Sequence, residues 1–135
     1  DFAGKTVEYL GRNYGEEYAA VLAIARKDRT LAKMLNDDGE ILAQAVYAVR
    51  SELAQSLNDV LFRRTGIGTL GNPGEAVLKD VARVVGRELH WSPARMKKEL
   101  EEARKAFVIP MPVKGKAAGT KTAGKKASSK SGKRR

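Results

Sequence analysis

Residues 40–65, EILAQAVYAVRSELAQSLNDVLFRRT, form the longest stretch of the chain that contains neither glycine nor proline. Apolar residues recur in this stretch at steps of three and four: Leu42, Val46, Val49, Leu53, Leu57 and Val60. This spacing is the period of an α-helix that has one apolar face. The pattern therefore predicts one unbroken helix over residues 40–65, roughly 40 Å long, which forms the centre of the domain.

The segment before residue 40 also follows a helical period. It predicts a helix ending at Gly15, a second helix over residues 16–27 and a turn at residues 36–39. Between the last two, Asp28 is positioned to cap a short helix that runs through Leu35.

Two more helices are predicted after residue 74. The first has an apolar stripe at Val77, Val81, Val84, Val85 and Leu89. Ser92 and Pro93 then provide an N-cap and a first helical residue for a last helix that ends near Phe107. The buried side of this helix is expected at Met96, Leu100, Ala103 and Phe107. The predicted fold class is all-α: a small bundle of five or six helices around one long central helix.

Positive charge is concentrated at the C-terminal end. Residues 114–135 carry nine lysine or arginine side chains and no acid, whereas the whole chain has a net charge of +10. We expect a helical domain over residues 1–109 and a disordered Lys-rich tail over residues 110–135, because the tail has almost no apolar surface to bury. Such a tail attracts anionic lipid headgroups or nucleic acid. It contains no aromatic residue to stack on bases, which disfavours sequence-specific binding of single strands.

Several classes of site are disfavoured by composition. The chain has no cysteine and a single histidine, His90, which is expected to be a helix cap or surface residue. No catalytic residues and no metal site are predicted. The sequence shows no membrane-spanning run and no signal peptide. Since it begins with Asp1, we expect it to be a piece of a longer protein, and the piece alone is not expected to be catalytic.

Gly66, Gly68 and Gly71 follow the G-x-G-x-x-G spacing of dinucleotide-binding loops. In those loops a strand delivers the chain to the glycines, and the next helix points its N-terminus at the pyrophosphate. Here the predicted helix of residues 40–65 enters the loop instead. The sequence therefore favours a helix–loop–helix connection over a nucleotide site.

Polar residues follow one side of the predicted central helix, at Glu52, Ser56, Asp59 and Arg63. Asp59 and Arg63 are spaced for an i,i+4 ion pair. Arg63 and Arg64 also lie at the helix C-terminus, where the helix dipole favours positive charge. The two arginines either serve only this stabilising role or bind a phosphate or carboxylate of a partner.

The same segment carries a family resemblance. YAVRSELAQSLNDVLFRRT is similar to a pattern of the C-terminal helical domain of the FAD-dependent glycerol-3-phosphate dehydrogenases and alpha-glycerophosphate oxidases. The matching residues are Tyr47, Ala48, Arg50, Glu52, Ala54, Leu57, Asp59, Val60, Leu61, Arg63, Arg64 and Thr65. YLGRNYG and VARVVGRELHW resemble flanking helices of the family, so the resemblance covers about residues 5–107. The chain departs from it at Gln44, where many relatives carry Glu, and at His90, where relatives often carry Gly.

The resemblance implies a parent enzyme that oxidises sn-glycerol 3-phosphate to dihydroxyacetone phosphate. FAD would be bound by a larger region that is absent here, and quinone or oxygen would receive the electrons. This chain would be an accessory domain that packs on the FAD-binding domain. Its candidate interdomain contacts are Arg50, Glu52, Asp59, Arg63, Arg64 and Thr65.

The resemblance further implies a cytoplasmic protein, or one that is peripheral on the inner face of the membrane. Attachment of the basic tail to an anionic membrane would suit the second case, and nucleic acid is the less favoured partner. One alternative of a different class remains open. It is a free-standing small helical binding protein whose basic tail binds nucleic acid or anionic membrane.

Overall fold

The computed structural model describes residues 2–108. Five α-helices occur in this range: α1 Gly4–Tyr14, α2 Tyr18–Lys27, α3 Ala43–Glu52, α4 Glu75–Leu89 and α5 Pro93–Val108. Short 3-10 helices cover Gly15–Glu17 and Arg29–Ala32, and a π-helical segment covers Asp59–Arg64. Within residues 2–108 the only β-type pairing is an isolated bridge between Met34 and Ile41. The predicted all-α class is confirmed, and the predicted tail lies outside the described residues.

Helix α3 is the centre of the core. Residues 43–48 are all buried, and α3 packs against both α2 and α4. On α4 the predicted stripe is buried at Val81, Val84 and Val85. Burying a side chain of this size removes it from water at a gain of about 1.5–3 kcal/mol. A central helix was therefore predicted correctly, but its length was not.

The prediction of one unbroken helix over residues 40–65 is wrong. Helix α3 ends at Glu52, and Leu53 adopts left-handed backbone angles of φ 62° and ψ 28°. The Ala54 amide then donates a hydrogen bond of 3.0 Å to the carbonyl oxygen of Ala48. This left-handed residue turns the chain away from the axis of α3, as a helix C-cap does.

The turns after Leu53 form a helical start of their own. The Ser56 hydroxyl accepts a hydrogen bond of 3.0 Å from the Asp59 amide, and Asp59 Oδ2 accepts one of 3.0 Å from the Gln55 amide. The first bond makes Ser56 an N-cap residue, which marks the N-terminus of a helix, and the second ties Asp59 to the residue before that cap. Because Ser56 and Asp59 make these bonds, they do not continue a polar stripe from Glu52 to Arg63.

A residue of α5 holds this start in place. Glu99 is only 6% exposed, and its Oε1 accepts a hydrogen bond of 2.8 Å from the Leu57 amide. Arg95 Nε donates one of 2.8 Å to Glu99 Oε2. The apolar spacing of α5 gave no sign that Glu99 is buried. The break after α3 therefore depends on a residue 42 positions further along the chain.

The other predicted caps and turns are largely confirmed. The Asn36 side chain accepts hydrogen bonds from the amides of residues 38–40, which closes the predicted turn. His90 is the left-handed cap of α4, and Ser92 Oγ accepts a hydrogen bond from the Arg95 amide at the start of α5. Asp28 accepts a hydrogen bond from the Thr30 amide, but its 3-10 helix ends at Ala32 and not at Leu35.

Replacing Glu99 by Ala is expected to lower the free energy of unfolding by about 2 kcal/mol, because the buried Leu57 amide loses its charged acceptor. Glu99→Gln keeps an acceptor oxygen and should cost about half as much. Urea denaturation followed by circular dichroism measures both. Glu102→Ala is the control, since Glu102 is exposed on the same helix. Equal stabilities of the Glu99 and Glu102 variants would contradict this role for Glu99.

Replacing Leu53 by Asn is expected to raise the free energy of unfolding by about 0.5–1 kcal/mol, because Asn adopts left-handed angles at lower cost. The Leu53 side chain is 76% exposed, so little burial is lost. Leu53→Ala, which keeps the unfavourable Cβ without the polar group of Asn, is the matched control. The prediction fails if urea denaturation finds the Asn variant no more stable than the Ala variant.

Candidate functional site

A cleft of about 290 Å³ lies between α1, the end of α3 and the residues that follow the π-helical segment. Its lining is almost wholly polar or charged: Tyr9, Asn13, Tyr14, Gln44, Glu52, Arg63, Arg64, Thr65 and Gly66. We call this set of residues the arginine cleft. Hydrogen-bond donors dominate its chemistry, because Arg, Tyr, Asn and Gln side chains all carry N–H or O–H groups.

Two arginines at the end of the π-helical segment supply the positive charge. Arg63 forms an i,i+4 ion pair with Asp59, with 3.7 Å between guanidinium nitrogen and carboxylate oxygen, as predicted. Arg64 makes no hydrogen bond or ion pair with any of residues 2–108. The adjacent Thr65 hydroxyl donates a hydrogen bond of 2.6 Å to the Val60 carbonyl oxygen. This bond fixes the backbone on which both arginines are carried.

A buried carboxylate outside the lining bonds to two of the residues that line the arginine cleft, Gly66 and Tyr9. Glu40 is 2% exposed, and its Oε2 accepts a hydrogen bond of 2.9 Å from the Gly66 amide. Asn36 donates to Oε1 at 2.7 Å, and Tyr9 also bonds to this carboxylate. Burial, followed by the bond to Glu40, raises the pKa of Tyr9 above its usual range. Glu40 thereby joins the turn before α3 to the chain that leaves the π-helical segment.

Tyr14 forms one wall of the arginine cleft. Its ring lies edge-on to Tyr47, with 5.5 Å between the ring centroids. Its hydroxyl accepts a hydrogen bond of 3.3 Å from Gln44 Nε2. Burial raises the pKa of Tyr14 to about 12, so the phenol keeps its proton at neutral pH and remains a donor.

Glu52 is the one acid among the residues that line the arginine cleft. Its Oε1 is buried and has no hydrogen-bond partner among residues 2–108. Burial raises the pKa of the Glu52 carboxyl, and the positive charge of Arg64 partly opposes that rise. A buried polar atom without a partner is destabilising by about 1–3 kcal/mol. No group among residues 2–108 therefore donates a hydrogen bond to Glu52 Oε1.

The six candidate contact residues divide into two groups. Glu52, Arg63, Arg64 and Thr65 meet in the arginine cleft. Asp59 does not line the cleft. It accepts a hydrogen bond from the Gln55 amide and forms an ion pair with Arg63.

Arg50 lies in a different groove, of about 460 Å³, which Lys27 and Arg87 also line. There it forms two hydrogen bonds with Glu88, of 2.7 and 3.0 Å. Its paired geometry satisfies the guanidinium within the domain.

The sequence did not single out Tyr9 or Asn13, which also line the arginine cleft and whose place there depends on how α1 packs.

The glycine loop is a connection between helical segments, as predicted. The π-helical segment enters it and α4 follows it. The amide of Gly66 donates to Glu40, that of Gly68 to the Leu61 carbonyl and that of Gly71 to the Gly68 carbonyl. A Cβ added at Gly66 would lie 2.7 Å from the Tyr9 hydroxyl. The first glycine is therefore required by the close packing of Tyr9.

Within residues 2–108, no cluster of three or more His, Cys, Asp or Glu side chains is arranged to hold a metal ion. Among the helices of the same range, none combines the length and the apolar character that crossing a bilayer requires.

Comparison with known proteins identifies several relatives. A probable mitochondrial glycerol-3-phosphate dehydrogenase of Caenorhabditis elegans is 34% identical over an alignment of 106 residues that covers 72% of this chain and 14% of the relative. Glycerol-3-phosphate dehydrogenase 2 of Mycobacterium tuberculosis is 32% identical over 96 residues, covering 70% of this chain and 16% of the relative. The mitochondrial glycerol-3-phosphate dehydrogenase of Bos taurus is 26% identical over 83% of this chain and 16% of its own length.

The chain thus spans about one sixth or less of the length of these relatives. No solved structure matches it. A protein-family model described as the C-terminal domain of alpha-glycerophosphate oxidase matches residues 1–96. The chain therefore belongs to the family of C-terminal domains of alpha-glycerophosphate oxidase.

Proposed function

We propose that this chain is the C-terminal accessory domain of an FAD-dependent glycerol-3-phosphate dehydrogenase. The parent enzyme oxidises sn-glycerol 3-phosphate to dihydroxyacetone phosphate and passes the electrons to quinone or oxygen. The observation that carries the proposal is the family match over residues 1–96, which relatives with glycerol-3-phosphate dehydrogenase names support. Because the chain covers only a small part of each relative, the reaction itself belongs to the rest of the parent protein.

The residues of this chain do not fit FAD. A loop that binds a pyrophosphate presents free backbone amides and precedes a helix N-terminus. Here the amides of Gly66, Gly68 and Gly71 already donate to oxygen atoms of the domain itself. The flavin therefore belongs to the larger preceding region of the parent, and the contribution of this domain is contact with that region.

The arginine cleft is the part of the surface best suited to that contact. Arg63 and Arg64 present positive charge at its edge, and their side chains are exposed. Glu99 fixes the backbone before the two arginines, at Leu57, and Glu40 fixes it after them, at Gly66. Two guanidinium groups carried on a firmly held backbone bind carboxylates with defined geometry. The domain would thus hold the flavin-binding region in one orientation and limit the opening that releases FAD.

The reaction is tested with the full-length parent protein, purified with its flavin. Anaerobic addition of sn-glycerol 3-phosphate is expected to bleach the flavin absorbance and to form dihydroxyacetone phosphate, because the substrate reduces the cofactor. Glycerol, which lacks the phosphate, is the matched control compound. A purified parent that holds no flavin, or whose flavin stays oxidised, would contradict the proposed function.

The basic tail gives a separate proposal on localisation. We infer that residues 114–135, which carry nine basic side chains, attach a cytoplasmic parent enzyme to the anionic inner face of the membrane. Each basic residue near such a surface contributes about 1 kcal/mol. The full-length protein is therefore expected to float with vesicles that contain phosphatidylserine, and to lose most of this binding at high salt.

Deletion of residues 114–135 should abolish the flotation, and uncharged phosphatidylcholine vesicles should give none. Equal flotation with both vesicle types would contradict a charge-based attachment. A shift of duplex DNA at near-physiological salt that the same deletion removes would instead support the alternative, a helical protein whose tail binds nucleic acid.

A further inference from the structure

The arginine cleft has an unbalanced set of charges. Arg64 has no ion-pair or hydrogen-bond partner among residues 2–108, whereas Arg63 is already paired with Asp59. Among the residues that line the cleft, Arg63 and Arg64 are basic and Glu52 alone is acidic. The cleft therefore attracts a group with one negative charge, and a planar carboxylate suits the guanidinium fork of Arg64.

The cleft also requires a hydrogen-bond donor. Glu52 Oε1 is buried without a partner among the described residues. A fully ionised inorganic anion offers only acceptor atoms, so it would satisfy Arg64 and leave Glu52 as it is. An Asp or Glu residue in a polypeptide loop offers both, since its carboxylate accepts and its backbone N–H groups donate. The two needs together favour a peptide segment over a free anion.

Apolar side chains are exposed in the same part of the domain. Leu70 is 91% exposed and Leu53 is 76% exposed. Leu53 directly follows Glu52, and Leu70 lines a groove that shares Tyr9 and Gly66 with the arginine cleft. Protein interfaces combine apolar contacts of this kind with polar groups that fix orientation. The surroundings of the cleft therefore suit a protein partner.

We propose that the arginine cleft binds an Asp or Glu side chain from the preceding flavin-binding region of the same protein. Arg64, helped by Arg63, binds the carboxylate. The Tyr14 hydroxyl, which is a donor at neutral pH, faces the same space. A backbone N–H of the inserted loop bonds to Glu52. The identity of the partner region rests on the proposed function, since the relatives extend far beyond the part that this chain matches.

The first experiment compares full-length proteins that carry Arg64→Glu, Arg64→Gln or Lys97→Glu. Limited proteolysis measures how fast the link between this domain and the preceding region is cut. Arg64→Glu is expected to speed the cut tenfold or more, because it places like charges in the interface, and Arg64→Gln should have a smaller effect. Lys97 is exposed on α5 and lines no described cleft, so its reversal should change the rate less than twofold.

The folded state of each variant is checked by circular dichroism, and Arg64 has no described contact whose loss would unfold the domain. Cutting rates that are equal in the Arg64→Glu and Lys97→Glu proteins would overturn the proposal. Inorganic sulfate, which is fully ionised at neutral pH, is then added to the wild-type protein and to Arg64→Gln. If sulfate slows the cut in the wild type alone, the cleft binds a free anion and the proposed carboxylate contact is wrong.

A second measurement does not depend on cutting rates. The chain has no cysteine, so Arg63→Cys gives this domain one attachment point for a thiol-reactive photo-crosslinker. In the full-length protein, the cross-linked peptide is expected to come from the preceding region and to contain Asp or Glu. Cross-links confined to residues of this domain, or formed only between two molecules, would contradict the proposal.

The same preparations separate this inference from the proposed function. If sn-glycerol 3-phosphate does not reduce the flavin of the wild-type protein, the proposed reaction is wrong. The docking contact still stands if Arg64→Glu speeds the cutting of the link. If the flavin is reduced normally, but Arg64→Glu leaves the cutting rate unchanged and no cross-link reaches the preceding region, the proposed reaction stands and the docking contact is wrong.

Discussion

The hydrogen bond from the Leu57 amide to the buried carboxylate of Glu99 connects α5 to the chain just after α3 ends. On a continuous helix, the eleven steps from Glu52 to Arg63 would separate these residues by about 16 Å along the axis. In the structure both residues line one cleft of about 290 Å³. The break that Glu99 helps to hold is therefore the condition for the arginine cleft to exist.

Two buried carboxylates fix the segment that carries the arginines, one at each end. Glu99 accepts from the amide of Leu57, and Glu40 accepts from the amide of Gly66. Burying a charge is costly unless other groups solvate it. Glu99 meets this need through Arg95, and Glu40 through Asn36. The backbone between them is then held by bonds that water cannot easily replace, which favours a defined direction for the exposed arginines.

Apolar periodicity was enough to predict the helical class and the buried face of α4, and residue type predicted the caps at Gly15 and Ser92. Periodicity failed at Leu53 because the three- and four-residue apolar spacing continues through Leu53 although the helix does not. Leu57 and Val60 are buried as the pattern requires, although they belong to the second piece. The local signal was Ser56, whose side chain caps the second piece at the Asp59 amide and which apolar spacing does not reveal.

The candidate site was harder to predict, for a reason of distance along the chain. The family resemblance pointed to Glu52, Arg63, Arg64 and Thr65, which do meet in one cleft. It also grouped them with Arg50, whose partner Glu88 lies 38 residues further on. Contacts of this range depend on tertiary packing, and no spacing rule within one helix contains them.

Leu53 and Glu52 together explain why the break is more than a connection between helices. An exposed leucine at left-handed angles and an adjacent buried carboxylate oxygen without a donor each raise the free energy of the domain as described. A partner that covers Leu53 and donates to Glu52 would gain both the apolar area and the missing hydrogen bond. One docked loop can therefore cover the exposed Leu53 side chain and satisfy Glu52 together, while the left-handed angles of Leu53 remain. The free energy of that relief then adds to the carboxylate contact at Arg64.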